Sequence, residues 1–312
     1  MQSPKPFARI GTRGSPLALA QANMVRTLLS EAHGVSEDEI AITVFSTGGD
    51  RSQAENTTLS DIGGKGVFTK EIDEALLSGA IDIGVHSSKD VATGLPDGMM
   101  LAAFLEREDV RDAFLSVTAK AIDNLPDNAR LGTSSIRRAA QARRLRPDLR
   151  IVPFRGNVHT RMQKLLDGVA DATLLALAGL NRLDEAHRAT AILDPDIFMP
   201  APAQGAIAIA IRQDDAAYAD IVAPLDHAAT HSVISAERTM LAVLDGSCRT
   251  PVGALSQRQG DMLSLKGEIL SLDGQTSFRA EASGPDPVAL GEKVGKDLLA
   301  QAGADWQTRF LS

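Results

Sequence analysis

Four stretches of this sequence place arginines where a strand gives way to a loop or helix. In GTSSIRRAAQ the strand ends at Gly132 and a helix starts at Ser134 or Ser135. Free backbone N–H groups, the hydroxyls of Thr133, Ser134 and Ser135, and the guanidiniums of Arg137 and Arg138 then converge on one helix N-terminus, an anion site in principle. Cations at that position oppose the helix dipole unless an anion sits there. FRGNVHTR repeats the logic: Arg155 leaves a strand, Gly156 lets a ligand approach closely, and Arg161 lies in the following helix. LAGLNRL places Arg182 after a third strand, and IGTRGSPLAL puts Arg13 and Ser15 at the end of another. Arginines at several strand C-termini describe a cleft for a ligand with several carboxylates or phosphates. For Arg143, Arg144 and Arg146 the ordinary reading is a solvated helix face.

Two further stretches differ in kind. VHSSKDVAT offers Lys89 and Asp90 in a turn after a buried strand, either as a surface ion pair or, beside a cationic cleft, as a carboxylate able to act as acid or base. DGSCRTPVG holds the single cysteine, Cys248. A lone cysteine is commonly a small buried hydrophobe, but a Gly-Ser-Cys-Arg turn with a neighbouring cation suits a reactive thiolate better.

Composition narrows the chemistry. The net charge of −8 and an aromatic content of 4% argue against nucleic-acid binding, which calls for a basic surface and stacking platforms. No apolar run reaches the ~18–20 residues that span a bilayer, and the start MQSPKPFARIGTRG lacks the apolar core of a signal peptide, so a cytoplasmic protein is expected. One cysteine excludes an internal disulfide framework, and six scattered histidines offer no metal-site spacing. IGGKGVF is glycine-rich with a lysine but lacks phosphate-loop spacing, and no dinucleotide fingerprint follows the first strand.

These residues need elements to hold them. FARIGTR reads as a strand, SPLALAQANMVRTLLSEAH as an amphipathic helix capped by Ser15 with Pro16 in its first turn, and EIAITVFS as a strand. A polar, Gly-rich loop from Thr47 to Gly66 precedes the helix TKEIDEALLSGA and the buried strand IDIGVHS. The grammar returns with strands at ARLGT, RIVPF and ATLLALA and helices from Ser135 and Val158. Such βαβ units predict mostly parallel sheets with functional loops at strand C-termini. PAPAQGAIAIAIR reads as a strand-like run, HSVISAERTMLAVLD as a helix, and LSLKGEILSLDGQTSFRAEAS as a hairpin in a small terminal α+β module.

Taken together, GTRGSPLAL, GGKGVFTKEID, DIGVHSSKDV, GTSSIRRAAQ, FRGNVHTR, ATLLALAGLNRL, PAQGAIAI and GSCRTPVGA, in this order, resemble the hydroxymethylbilane synthase, or porphobilinogen deaminase, family. The resemblance implies an α/β fold: two periplasmic-binding-protein-like lobes around a cleft plus a small C-terminal α+β domain. Its expected divisions are 1–105 with 200–223, 106–199, and 224–312. The implied activity, that of a transferase, joins four porphobilinogen molecules head to tail with loss of ammonia onto a covalent dipyrromethane primer, and then releases 1-hydroxymethylbilane by hydrolysis. Loss of ammonia leaves a cationic azafulvene beside which a carboxylate is useful, and Asp90 matches the family's catalytic aspartate. Cys248 matches the cofactor's thioether anchor. Lys89, Ser135, Arg137 and Arg138, with Asp90, match cofactor-binding positions; Arg13, Ser15, Arg155, Arg161 and Arg182 match substrate-binding ones. Lys65 and Phe68 match the family's mobile active-site loop.

The family pattern departs at Ala92, where proline is usual, at Arg249, where an uncharged residue is common, and at Asp61, where a basic one is. No metal is implied. The expected partner is porphobilinogen, with no nucleic acid and no membrane, and with the product of tetrapyrrole and heme biosynthesis passed by a monomer to uroporphyrinogen-III synthase. The rival is a non-enzymatic two-lobed protein that binds an anionic solute; it has no use for Asp90 or for a modified thiol. An acyl- or phosphoryl-transfer enzyme would need a Cys-His pair or metal carboxylates, and neither motif is present.

Overall fold

Alternating apolar runs and capped amphipathic segments build two α/β units in the computed structural model, which describes residues 6–48, 69–247, 250–303 and 305–310. One unit takes Met1–Arg107 and Ala206–His231, the other Glu108–Gly205 and Ser232–Ser312.

The first unit holds β1 (Ala8–Arg13), α1 (Pro16–His33), β2 (Ile40–Phe45), α2 (Lys70–Leu77), β3 (Ile83–Ser87), β4 (Met99–Phe104) and, after the chain returns, β10 (Ile207–Arg212) and α6 (Ala216–Val222). Helix α1 begins where the sequence predicts: the Ser15 hydroxyl accepts from the Ala18 N–H, proline follows at the first turn, and Gly34 ends the helix with φ 64°. The strands lie in the order β2-β1-β3-β10-β4. β1 pairs parallel with β2 and β3, whereas β10 runs antiparallel between β3 and β4. Val25 and Leu29 of α1 pack on Ile10, Ile83, Val85 and Ile209, all buried, which fixes α1 to one face of the sheet.

The second unit repeats the plan with β5 (Asp112–Ser116), β6 (Arg130–Gly132), α3 (Ile136–Leu145), β7 (Arg150–Val152), α4 (Val158–Leu166), β8 (Ala172–Ala176), α5 (Leu177–Asn181) and β9 (Ala191–Ile192). Its order is β7-β6-β8-β5-β9, with β6 parallel to β7 and β8, and β5 antiparallel to β8 and β9. Each sheet is therefore mostly parallel with one reversed strand. That strand is the first to follow the chain's crossing from the other unit, a feature the βαβ grammar does not predict.

The same unit contains α7 (Ala228–Val243) for most of its length, then β11 (Val252–Gln259), β12 (Met262–Leu270), β13 (Ser277–Gly284), α8 (Pro287–Ala302) and α9 (Trp306–Phe310). The hairpin read from LSLKGEILSLDGQTSFRAEAS is β12 with β13, and β11 extends it to an antiparallel sheet of three. This sheet lies against α3. Arg143 donates to the Leu272 carbonyl at 2.9 Å, and Arg144 donates to Glu268 of β12 and, at 2.6 Å, to the Ile197 carbonyl. Arg146 closes on Asp148 at 2.8 Å and on the Leu125 carbonyl at 3.0 Å. The solvated face expected for these three arginines is thus a correction: α3 is packed on both flanks, and the guanidiniums serve carbonyls and carboxylates that lie 2–129 residues away.

Candidate active site

In the first unit, β1 and β3 run side by side in parallel, so their C-terminal ends share one edge of the sheet. Arg13 closes β1, and Ser15 caps the helix that follows. β3 carries His86 and Ser87 and continues into a single 3-10 turn, Ser88–Asp90. The turn is seated from below: Gln21 of α1 exchanges hydrogen bonds with the Ser87 hydroxyl at 2.9 and 3.1 Å, and the Ser88 N–H donates to the Ala206 carbonyl at 2.9 Å. His86 is buried; that burial, with the Arg13 charge, pushes its pKa down to about 4 and keeps the ring neutral. Asp90 is half-buried, and its carboxylate has no hydrogen-bond partner among the described residues. The Ser88 hydroxyl, fully buried, also lacks one among them.

In the second unit the C-terminal ends of β7, β6 and β8 line a common edge. Past β6, Ser135 caps α3 by accepting from the Arg138 N–H at 3.4 Å. Past β7, Gly156 adopts φ 123°, a conformation that favours glycine, and an added Cβ would stand 2.7 Å from Thr160. The chain can then turn directly into α4, capped by Asn157, where Arg161 Nε donates to the Gly156 carbonyl at 2.8 Å. Arg155 sits half-buried in that loop. Past β8, Arg182 ends α5 and donates to the Gly205 carbonyl at 2.6 Å. Lys65, Phe68 and Cys248 lie outside the described residues.

Arg137 and Arg138 are buried, at 4% and 7% exposure, and the anion that the helix N-terminus requires is in the chain itself. Asp112, at the start of β5, accepts from Arg137 Nη2 at 2.8 Å and from Arg138 Nη2 at 2.7 Å. Gln204 adds a third donor at 3.1 Å and also bonds the Val110 carbonyl. Arg137 further donates to the Met199 carbonyl at 2.6 Å, and Arg138 to that of Leu174 at 3.0 Å. Neither Asp112 nor Gln204 stood out in the sequence. Nothing in the spacing of VRDAF or PAQGA announces a counterion; the antiparallel pairing that sets Asp112 opposite Ala176 of β8 creates it. Arg238 of α7 is a further cation that the motifs passed over, its pKa pushed down to about 10 by burial.

Positive charge still exceeds negative here. Burial, and then repulsion from Arg138, push the Arg161 pKa down to about 10, and among the described residues no carboxylate pairs with it. Burial also lowers Arg182, against the pull of Glu108. Arg137 and Arg138 share the carboxylate of Asp112, Arg161 adds a third guanidinium that feels the charge of Arg138, and each keeps N–H donors beyond those already engaged. A ligand carrying several carboxylates suits such a donor set. Among the described residues no cluster of histidine, cysteine and acid could hold a metal ion.

Comparison with known proteins shows the family. Residues 8–220 match the family profile described as "Porphobilinogen deaminase, dipyromethane cofactor binding domain", and residues 232–300 match "Porphobilinogen deaminase, C-terminal domain". The porphobilinogen deaminase of Nitrobacter hamburgensis is 52% identical over 97% of this chain and 96% of its own, and that of Nitrobacter winogradskyi 51% over the same shares. The chain belongs to the porphobilinogen deaminase family. As a member it is a transferase, a hydroxymethylbilane synthase that polymerises porphobilinogen with loss of ammonia, and its cofactor is dipyrromethane, for which Cys248 is the one thiol in the sequence. Among solved structures, a periplasmic substrate-binding protein of an ABC transporter from Coxiella burnetii superposes with a TM-score of 0.45 at 15% identity, over 74% of this chain and 97% of its own. A likeness of that size carries no argument.

Proposed function

We propose that Asp90 is the catalytic group and that the arginines divide between the primer and the incoming unit. The observation that carries this is Asp90 itself: a half-buried carboxylate at the end of β3, with no protein donor among the described residues, on the same sheet edge as Arg13. Such a carboxylate is available to a pyrrole N–H and to the positive charge that develops as ammonia leaves porphobilinogen. Fixed in place on a partly buried turn, it is preorganised for that charge in a way a freely solvated group is not.

Arg13, Ser15, Arg155, Arg161 and Arg182 then hold the acetate and propionate groups of substrate and growing chain, two carboxylates per ring. Lys89, Ser135, Arg137, Arg138 and Asp90 hold the dipyrromethane that Cys248 carries. When bound, that group supplies the free pyrrole α-carbon on which the chain starts. The Asp112 contact fixes how Arg137 and Arg138 are presented: it immobilises the guanidiniums before any ligand arrives, so little side-chain entropy is lost on binding.

The functional division runs 1–105 with 200–223 for the lobe of the catalytic aspartate, 106–199 for the arginine-rich lobe and 224–312 for the module of the cofactor cysteine. We place the enzyme in the cytoplasm as a monomer that passes its product to uroporphyrinogen-III synthase; no described helix is long and apolar enough to cross a membrane. Intact mass tests the reading against a solute-binding protein. Active protein should carry the mass of two pyrrole units on Cys248, and active protein of unmodified mass would overturn it.

A further inference from the structure

Three buried polar atoms in the second unit have no hydrogen-bond partner among the described residues although their side chains are at most 4% exposed: Arg137 Nε, Gln141 Oε1 and Glu268 Oε2. They belong to one neighbourhood. Arg137, Gln141 and Arg144 recur at intervals of four and three, so they share one face of α3. Arg137 Nη1 and Gln141 Nε2 both donate to the Met199 carbonyl, at 2.6 and 2.8 Å, and Arg144 donates to Glu268 Oε1. Met199 lies under the C-terminal sheet: a Cβ on Gly253 would stand 2.9 Å from its side chain, and Gly253 is the register partner of Glu268 across β11 and β12. The Gln141 amide cannot flip to relieve its oxygen without losing the bond to Met199.

One N–H donor and two acceptors form the complement of a single water molecule, which accepts one hydrogen bond and donates two. We propose that one buried water joins Arg137 Nε, Gln141 Oε1 and Glu268 Oε2, and that through it Glu268 of the C-terminal sheet is a positioning residue for Arg137. Glu268 also accepts from Arg279 of β13 at 2.6 Å, so its carboxylate is held from the sheet side while it holds α3. The inference rests on the assignment of Arg137 to the dipyrromethane. It adds that the module of the cofactor cysteine sets the geometry of the arginine that receives the cofactor.

A crystal structure of the holoenzyme should show a solvent peak within hydrogen-bonding distance of all three atoms; a direct Arg137 Nε to Glu268 contact with no peak overturns the proposal. Incubation of apo-protein with porphobilinogen, followed by intact mass, supplies the functional readout. Glu268→Gln should acquire the cofactor mass about tenfold more slowly than wild type, while its KM for porphobilinogen, once loaded, stays within twofold. A lower melting temperature with wild-type loading would mean that Glu268 is structural only, and sinks the idea. Should Glu268→Gln fail to fold, Gln141→Met keeps the volume and removes the acceptor together with the donor to the Met199 carbonyl, which Arg137 Nη1 continues to serve; slow loading is again expected, and loading at the wild-type rate overturns the inference. Arg137→Leu separates the two layers. If it fails to load while Glu268→Gln loads normally, this inference alone falls; if it loads normally, the assignment of Arg137 falls and this inference with it.

Discussion

Arg138 and Asp112, 26 residues apart in sequence, meet through Nη2–Oδ1 at 2.7 Å and Nε–Oδ1 at 3.2 Å, with the carboxylate fully buried. Arg137 shares the same carboxylate through its other oxygen. Removing one partner from a buried ionic cluster leaves the others desolvated and unpaired, at ~3–5 kcal/mol. Asp112→Asn should therefore lower stability by roughly that amount. A denaturation midpoint indistinguishable from wild type would show that the arginines find another anion.

Asp90→Asn should leave the fold and most of the cofactor mass intact, because Lys89, Ser135, Arg137 and Arg138 still hold the dipyrromethane, and remove most turnover. A preorganised charge contact contributes ~3–4 kcal/mol to the transition state, a fall of ~10²–10³ in rate. Steady-state assay at saturating porphobilinogen, with intact mass alongside, checks it; turnover within about threefold of wild type contradicts the role.

Arg137→Leu and Arg155→Leu should break different steps. The first should accumulate as protein of unmodified mass. The second should carry the cofactor and stall at loading or elongation of substrate. Mass spectra of both variants after incubation with porphobilinogen distinguish the outcomes, and a fully modified Arg137→Leu refutes the division.

His86 gives a pH signature. Its folded pKa, about 4, lies below the ordinary value of 6.5, so on acidification the unfolded chain takes up a proton before the folded one does. Stability is fully present above pH 6.5 and falls as pH drops toward about 4. At ~1.4 kcal/mol per unit the loss approaches roughly 3 kcal/mol. His86→Gln should flatten the dependence of melting temperature on pH across that window, and an unchanged slope would show that other groups dominate.

Cys248→Ser keeps the size of the side chain but offers a far weaker nucleophile. The expected product is inactive, cofactor-free protein that melts below the holoenzyme, because a covalent group with four carboxylates stabilises the fold it binds. Full-mass modification, or a holoenzyme-like melting curve, would exclude Cys248 as the anchor.

Local order is where sequence was sufficient. Apolar periodicity and caps placed α1 behind Ser15, α3 behind Ser135 and the strands that end at Arg13, Ser87 and Gly132, since these depend on neighbours a few residues away. The motifs at those strand ends singled out Arg13, Asp90, Arg137 and Arg138, GSCRTPVGA singled out Cys248, and together with the other motifs they marked the family. Counterions were not legible. Asp112 reaches Arg138 only because β5 is inserted antiparallel beside β8, and Glu268 reaches Arg144 across 124 residues. Arg143, Arg144 and Arg146 read as solvated because the sequence does not disclose that a hairpin from the far end of the chain lies on α3. Which charges lie in water and which are buried against one another is set by long-range packing, and packing decides whether an arginine is a solvated surface charge or a fixed donor in the site.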